Sequence, residues 1–435
     1  MHTGQIILAI TLTLLTCGAV WFGMWWRQRS HSVSGRLLVT TVLIAGLVVR
    51  LAYVFLTPVF YAPDEQSHFN YIKHLAENKS FPVQTSKLGD ASNDWEYNQP
   101  PLYYLVAAPL FNVVQTVFRN QTATIIALRL FSVALWLLNA WFVILLLRRL
   151  KIQNEFVSVF TVAMVSLLPT YTFISSAINN DNLLATLGGG MLCLLVKHER
   201  TLKTLLLFGA LLGLGLLTKQ SAVIFVPLII SLVLIEVFKR QITWNVAIQQ
   251  LVVALGLAGF IYLPWAIRNW QAYHTFMPEN LVVTQIPWPS ALQGIASATH
   301  NLLKTFWSVS GLSNDMGYPF PLIGMLLLAS PVLMFALDSK PVEKTDALNV
   351  AENKSLLIAM LIAVAFTIGL VLRFGYMFGM GQGRHLFPLL APLALFLAAW
   401  LRRVPLKRME IHAAGFWITY AVSFALFSLC RFPRG

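Results

Sequence analysis

The residues best equipped for chemistry sit in one stretch, Tyr61-Ala62-Pro63-Asp64-Glu65-Gln66-Ser67-His68-Phe69-Asn70-Tyr71. Two adjacent carboxylates, with an imidazole four residues beyond Asp64, stand out in a chain with only 11% charged residues. Pro63 can open a helix, Asp64 and Glu65 suit the positive N-terminal end of one, and helical spacing puts Asp64 and His68 on a shared face. Two readings follow: a capped helix at an interface, or a catalytic carboxylate at a membrane surface.

Other polar clusters interrupt the apolar sequence. Asn98-Gln99-Pro100-Pro101-Leu102-Tyr103-Tyr104 sets prolines ahead of a helix whose tyrosines suit either headgroup anchoring or substrate contact. Asp90, Asp94 and Glu96, just upstream, read as a solvated loop. Asn179-Asn180-Asp181-Asn182 either caps the helix that follows or offers polar contacts to a substrate. Lys219-Gln220, Arg268-Asn269-Trp270 and Arg384-His385, with Arg50, Arg129 and Arg373, put cations where a membrane protein usually has few. Each alone reads as snorkelling to headgroups; as a set they suit a phosphate or pyrophosphate. His68, His74, His274, His300 and His385 could join Asp64 or Glu65 around a metal, but nothing in their spacing demands it. No metal ligands are assigned, no cofactor is required, and a divalent metal is left open. Neither GxxxxGK[ST] nor GxGxxG after a strand is present, which argues against nucleotide chemistry.

The elements that must position these groups are membrane helices. Hydrophobic residues make up 57% of the 435 and mean hydropathy is +0.69, far above a soluble domain. About 12 transmembrane helices are expected, near 4–26, 37–57, 124–147, 155–175, 181–197, 202–217, 221–238, 244–266, 319–337, 355–374, 383–400 and 411–430. Cys17, Cys193 and Cys430 lie in apolar runs and form no disulfide framework. With the N-terminus outside and 101–118 not crossing, 18 of the 31 Lys and Arg residues fall on six short inside loops, so 101–118 reads as a re-entrant or surface-lying helix. The expectation is an all-α polytopic membrane protein forming a single integral domain over 1–435. Its outer loops are 58–123, with juxtamembrane helices, and 267–318, where Trp288, Trp307 and Tyr318 suit an acceptor site. The net charge of +14 belongs to the inside loops and calls for no nucleic acid.

Taken in order, these residues resemble the polytopic glycosyltransferases of the GT-C fold. Within them the chain is similar to a bacterial membrane-protein family close to the lipid A aminoarabinose transferase and protein O-mannosyltransferase group. The likeness runs over roughly 45–400 through Pro63-Asp64-Glu65 with His68, Gln99-Pro100-Pro101-Leu102-Tyr103-Tyr104, Asn180-Asp181, Thr218-Lys219-Gln220, Arg268-Asn269-Trp270, and Gln382-Gly383-Arg384 with Pro388. The resemblance implies transfer of a sugar from a polyprenyl-phosphate donor to an envelope lipid, glycan or protein. It also implies a bacterial inner membrane with the active site facing the periplasm. It makes Asp64 or Glu65 the general base, with Lys219, Arg268 and Arg384 on the donor phosphate and His68, Gln99, Tyr103, Asn180 and Asp181 as substrate contacts. The aminoarabinose relatives carry an acidic residue and a lysine before the paired prolines, where this chain has Asn98-Gln99. Two rivals remain: a surface-polysaccharide polymerase or ligase, which would lean on the outer arginines, and a transporter or flippase, which would call for ionisable groups at mid-membrane.

Overall fold

The computed structural model describes residues 35–85, 94–196, 200–278, 285–307, 350–379, 381–403 and 417. The spans expected at 4–26 and 319–337, nearly all of 411–430, and Asp90 and Tyr318 lie outside them.

Every regular element among the described residues is helical. In chain order they are α1 (Gly35–Leu56), α2 (Glu65–Asn78), α3 (Leu102–Phe118), α4 (Gln121–Arg149), α5 (Glu155–Leu167), α6 (Pro169–Ile174), α7 (Asp181–Leu195) and α8 (Leu202–Leu216). After a 3-10 turn at Gln220–Ile224 come α9 (Phe225–Phe238), α10 (Trp244–Tyr273), α11 (Ala291–Trp307) and α12 (Val350–Phe378). A second 3-10 segment, Gly383–Leu389, leads into α13 (Leu390–Arg403). Six helical stretches among the described residues are long and apolar enough to cross a membrane: 35–56, 121–149, 220–238, 244–273, 353–378 and 383–402. The chain is a multi-pass membrane protein.

Local chemistry sets the helix starts. The side chains of Asn120, Asn154, Thr201 and Thr243 accept the backbone N–H of Ala123, Val157, Thr204 and Val246, closing the first turns of α4, α5, α8 and α10. The stretch expected as one span at 155–175 is two helices, because Pro169 cannot continue the ladder of α5. Without water to drive apolar faces together, close backbone approach holds such helices. Gly209 and Gly213 of α8 lie against Ala254, Ala258 and Ile261 of α10.

The helix ends divide by charge. Arg36, Arg148, Arg149, Lys203, Lys239, Arg240, Lys354 and Arg402 gather at one end of the bundle. Asp64, Asp181, Lys219 and Arg384 belong to the other. Helix α3 begins there, with Leu102 N–H donating to the Leu217 carbonyl at 2.8 Å, and packs on α2. Only Arg119 and Asn120 separate α3 from α4, which passes Glu65 at Arg129 and finishes at the basic end, so α3 adds no crossing of its own. Its outward face, Leu105, Val106, Val113, Val117 and Phe118, is exposed and apolar.

Candidate active site

Asp64 sits at the N-terminus of α2 in the left-handed region, at φ +60°. An N-cap normally has extended backbone and turns its side chain onto the helix. Asp64 makes no such bond. Its carboxylate turns to Arg384 instead, Nη2 donating to Oδ2 at 2.6 Å, so capping is not its purpose. Asp tolerates the left-handed region better than most residues, which suits it to this turn. Its side chain keeps 28% of its surface exposed, and among the described residues Oδ1 accepts no hydrogen bond. Burial works to raise this carboxyl, but the Arg384 guanidinium, with His68 and Lys219 behind it, holds it below the usual range.

Glu65, its neighbour, is wholly buried. Arg129 grips it with two parallel bonds, Nε to Oε1 at 2.8 Å and Nη2 to Oε2 at 2.6 Å, and spends its other N–H groups on the carbonyls of Val54, Thr57 and Pro58. Oε1 also accepts the Ile178 N–H at 3.3 Å. One buried pair thus ties down the turn before Asp64 and the turn before Asp181.

Asp181 opens α7. Lys219 Nζ donates to its Oδ1 at 2.5 Å, and its Oδ2 lies 4.0 Å from Arg384 Nε. Both of these last atoms are buried without a hydrogen-bond partner, as is Asn180 Oδ1. Such orphans are costly and mark where a ligand's polar atoms would fit. The four-residue arrangement Asp64–Arg384–Asp181–Lys219 alternates in sign. Gly383 makes it possible: a Cβ there would strike the Phe306 backbone, and its N–H donates to Thr305 Oγ1 at 2.7 Å. His385 faces Asp181 from the same segment.

The structure gathers Asp64, His68, Asn180, Asp181, Lys219 and Arg384, and sets Tyr103 just behind them, with its hydroxyl accepting the Asn179 N–H at 3.2 Å. Asn179, rather than Asn180, settles the start of α7, its Oδ1 accepting the Asp181 N–H at 2.9 Å. Gln99 enters through its backbone carbonyl, which accepts the Tyr71 hydroxyl at 3.3 Å. Arg268 is placed apart. It lies inside α10, which runs on to Tyr273, and its guanidinium reaches the Pro82 carbonyl between the Trp265 and Tyr273 rings. Arg50 and Arg129 do not join an open cationic set. Arg50 is buried over Trp136 and bonded to Ser175 and the carbonyls of Gly46 and Ser166, while Arg373 is exposed. Trp307 is fully buried.

Asp94 and Glu96, expected in a solvated loop, are buried instead. Glu96 Oε2 lies 3.9 Å from His68 Nδ1, which shares a hydrogen bond of 2.9 Å with the Tyr104 hydroxyl. Burial and then the nearby Asp64 charge push the Glu96 carboxyl up to about 8, and burial drives His68 down to about 3. Asp94, Glu96 and Asn98 are buried while Trp95, Tyr97 and Gln99 are half-buried, the reverse of what hydrophobic patterning would have suggested. Among the described residues no three His, Cys, Asp or Glu side chains gather as a metal-binding group. The acids that do approach, Asp64 and Asp181, each hold a cation.

Residues 98–265 match a family described as dolichyl-phosphate-mannose-protein mannosyltransferase. Among solved structures the chain is similar to the oligosaccharyltransferase AglB of Archaeoglobus fulgidus. With an inhibitory peptide and a dolichol-phosphate bound, that protein aligns at TM-score 0.54 and 13% identity, over 92% of this chain and 56% of that one. Tethered to an acceptor peptide, it aligns at 0.54 and 14%, over 95% and 56%. The chain shares the GT-C fold of this oligosaccharyltransferase. ArnT of Cupriavidus metallidurans bound to undecaprenyl phosphate aligns at 0.41 and 16%, over 89% of this chain and 77% of that one. This GT-C chain spans a little over half the length of the AglB chains it matches. No curated protein sequence matches it.

Proposed function

We propose that the protein transfers a sugar from a polyprenyl-phosphate donor to a hydroxyl of an envelope acceptor on the outer face of a bacterial inner membrane. The observation that carries this reading is the ionised, part-exposed Asp64, with one oxygen open, set beside Arg384 and Lys219. Its place at the bundle end opposite the basic loops supports an outer-face site. The matching family's description and the dolichol-phosphate in the AglB complex support a lipid-linked donor.

In the reaction the acceptor hydroxyl gives its proton to Asp64 Oδ1 and its oxygen attacks the anomeric carbon. The bond from that carbon to the phosphate oxygen breaks, and the electron pair leaves on the polyprenyl phosphate. Arg384 and Lys219 offset the charge that develops there. Asp64 then returns the proton to water. Glu65 cannot serve as base, since both its oxygens are taken by Arg129. Arg268, away from these charges, is set aside as a phosphate ligand.

Incubation of the purified full chain with labelled polyprenyl-phosphate sugars and an envelope extract tests the reading. Label on an acceptor supports it; label that stays on the carrier with every donor overturns it.

A further inference from the structure

Glu96 has no part in the chemistry above, yet it is buried among groups that do. Its carboxyl faces His68 from α2, Tyr104 from α3, Asp64 from the preceding turn, Asp181 from α7, Lys219 from the turn after α8, and Arg384 from the second 3-10 segment. Both cations are already paired, to Asp181 and Asp64, and His68 is neutral. Among the described residues nothing donates a hydrogen bond to the Glu96 carboxyl. Two neighbouring acids whose surroundings pull them in opposite directions divide the work of holding and accepting a proton. A second observation points to a ligand. Asn180 bonds through Nδ2 to the same Tyr104 hydroxyl that holds His68, while its Oδ1, fully buried, has no partner. A donor and an acceptor set around one tyrosine match a hydroxyl group, which gives one hydrogen bond and takes another.

We propose that Glu96 is a specificity-determining residue which, carrying its proton, gives a hydrogen bond to a hydroxyl of the sugar, with Asn180 Oδ1 as the matching acceptor. The inference rests on the glycosyltransferase reading. It assigns Glu96 no bond-making step: the residue recognises the sugar while Asp64 takes the proton. Ionisation of Glu96 turns its donor into an acceptor and leaves the sugar hydroxyl mismatched.

Two measurements on the full chain test this. Infrared difference spectra of wild type against Glu96→Gln should show a protonated-carboxyl band at neutral pH that fades as pH rises through about 8. Absence of that band at neutral pH overturns the proposal without touching the glycosyltransferase reading. In the transfer assay, wild-type kcat/KM should fall above about pH 8. Glu96→Gln, whose amide still donates, should lose that alkaline fall, while Glu96→Ala should drop about tenfold at neutral pH. A fall that persists in Glu96→Gln overturns the role of Glu96 alone. No transfer by wild type at any pH overturns the glycosyltransferase reading and this role with it.

Discussion

Arg129 and Glu65 form a buried fork 64 residues apart in sequence, with every guanidinium N–H that the pair leaves over spent on backbone carbonyls. The pair separates two adjacent acids into two tasks: Glu65 holds the turn, while Asp64 stays part-exposed beside Arg384. Removing one partner leaves an uncompensated buried charge, at a cost of about 3–5 kcal/mol. Arg129→Ala should therefore lower the thermal midpoint of the detergent-solubilised protein sharply. Arg129→Lys, which cannot form the fork, should recover only part of it. Unchanged midpoints in both would mean that the fork does not hold the turn.

Arg384 keeps Asp64 ionised. Because the folded carboxyl lies below its usual value, the base stays competent as pH falls until that lowered value is reached. Arg384→Gln should move the acid limb of kcat/KM to higher pH and reduce the plateau by about 10²-fold or more. A reduced plateau with an unmoved limb would leave Arg384 a phosphate ligand only.

Gly383 is the seat of that arginine. Alanine there would press on the Phe306 backbone, and overpacking of this kind costs about 1–3 kcal/mol. Gly383→Ala should copy the moved acid limb of Arg384→Gln while leaving the guanidinium in the sequence. A wild-type pH profile in Gly383→Ala would show that the contact relaxes without disturbing Arg384.

His68 is neutral in the folded state down to about pH 3. The unfolded imidazole takes a proton below about 6.5. Between these values the unfolded chain binds more protons, so this contribution is complete above about 6.5 and declines by up to about 1.4 kcal/mol per pH unit as pH falls. Thermal midpoints recorded from pH 7 to 4 should fall less steeply in His68→Asn than in wild type. Parallel curves would assign the acid sensitivity to other groups.

Much of this was legible in the sequence because membrane helices announce themselves by length and apolarity, and because Asp64, Asp181, Lys219 and Arg384 each break an apolar run. What the sequence hid was pairing. The same outward cations that suggested one anion site divide into Arg50 and Arg129, buried and bonded within the protein, and Arg384 and Lys219, set on carboxylates. No spacing reveals that Arg129 meets Glu65, since the contact depends on how α4 packs beside the start of α2. Glu96 was hidden for a similar reason. A polar loop reads as solvated until the tyrosines beneath it are seen to draw it inward, with Tyr97 packed edge-on against Tyr71 at 5.5 Å.

The central claim is that Asp64 is the base and Glu65 its support. The most direct measurement is transfer from a labelled polyprenyl-phosphate sugar by wild type, Asp64→Asn and Glu65→Gln, each checked for folding by its thermal midpoint. Asparagine tolerates the same left-handed turn, so Asp64→Asn removes the base without forcing the backbone. The account expects Asp64→Asn to fold like wild type and lose transfer by about 10²-fold or more, with Glu65→Gln losing stability. Wild-type rates in a folded Asp64→Asn would contradict it.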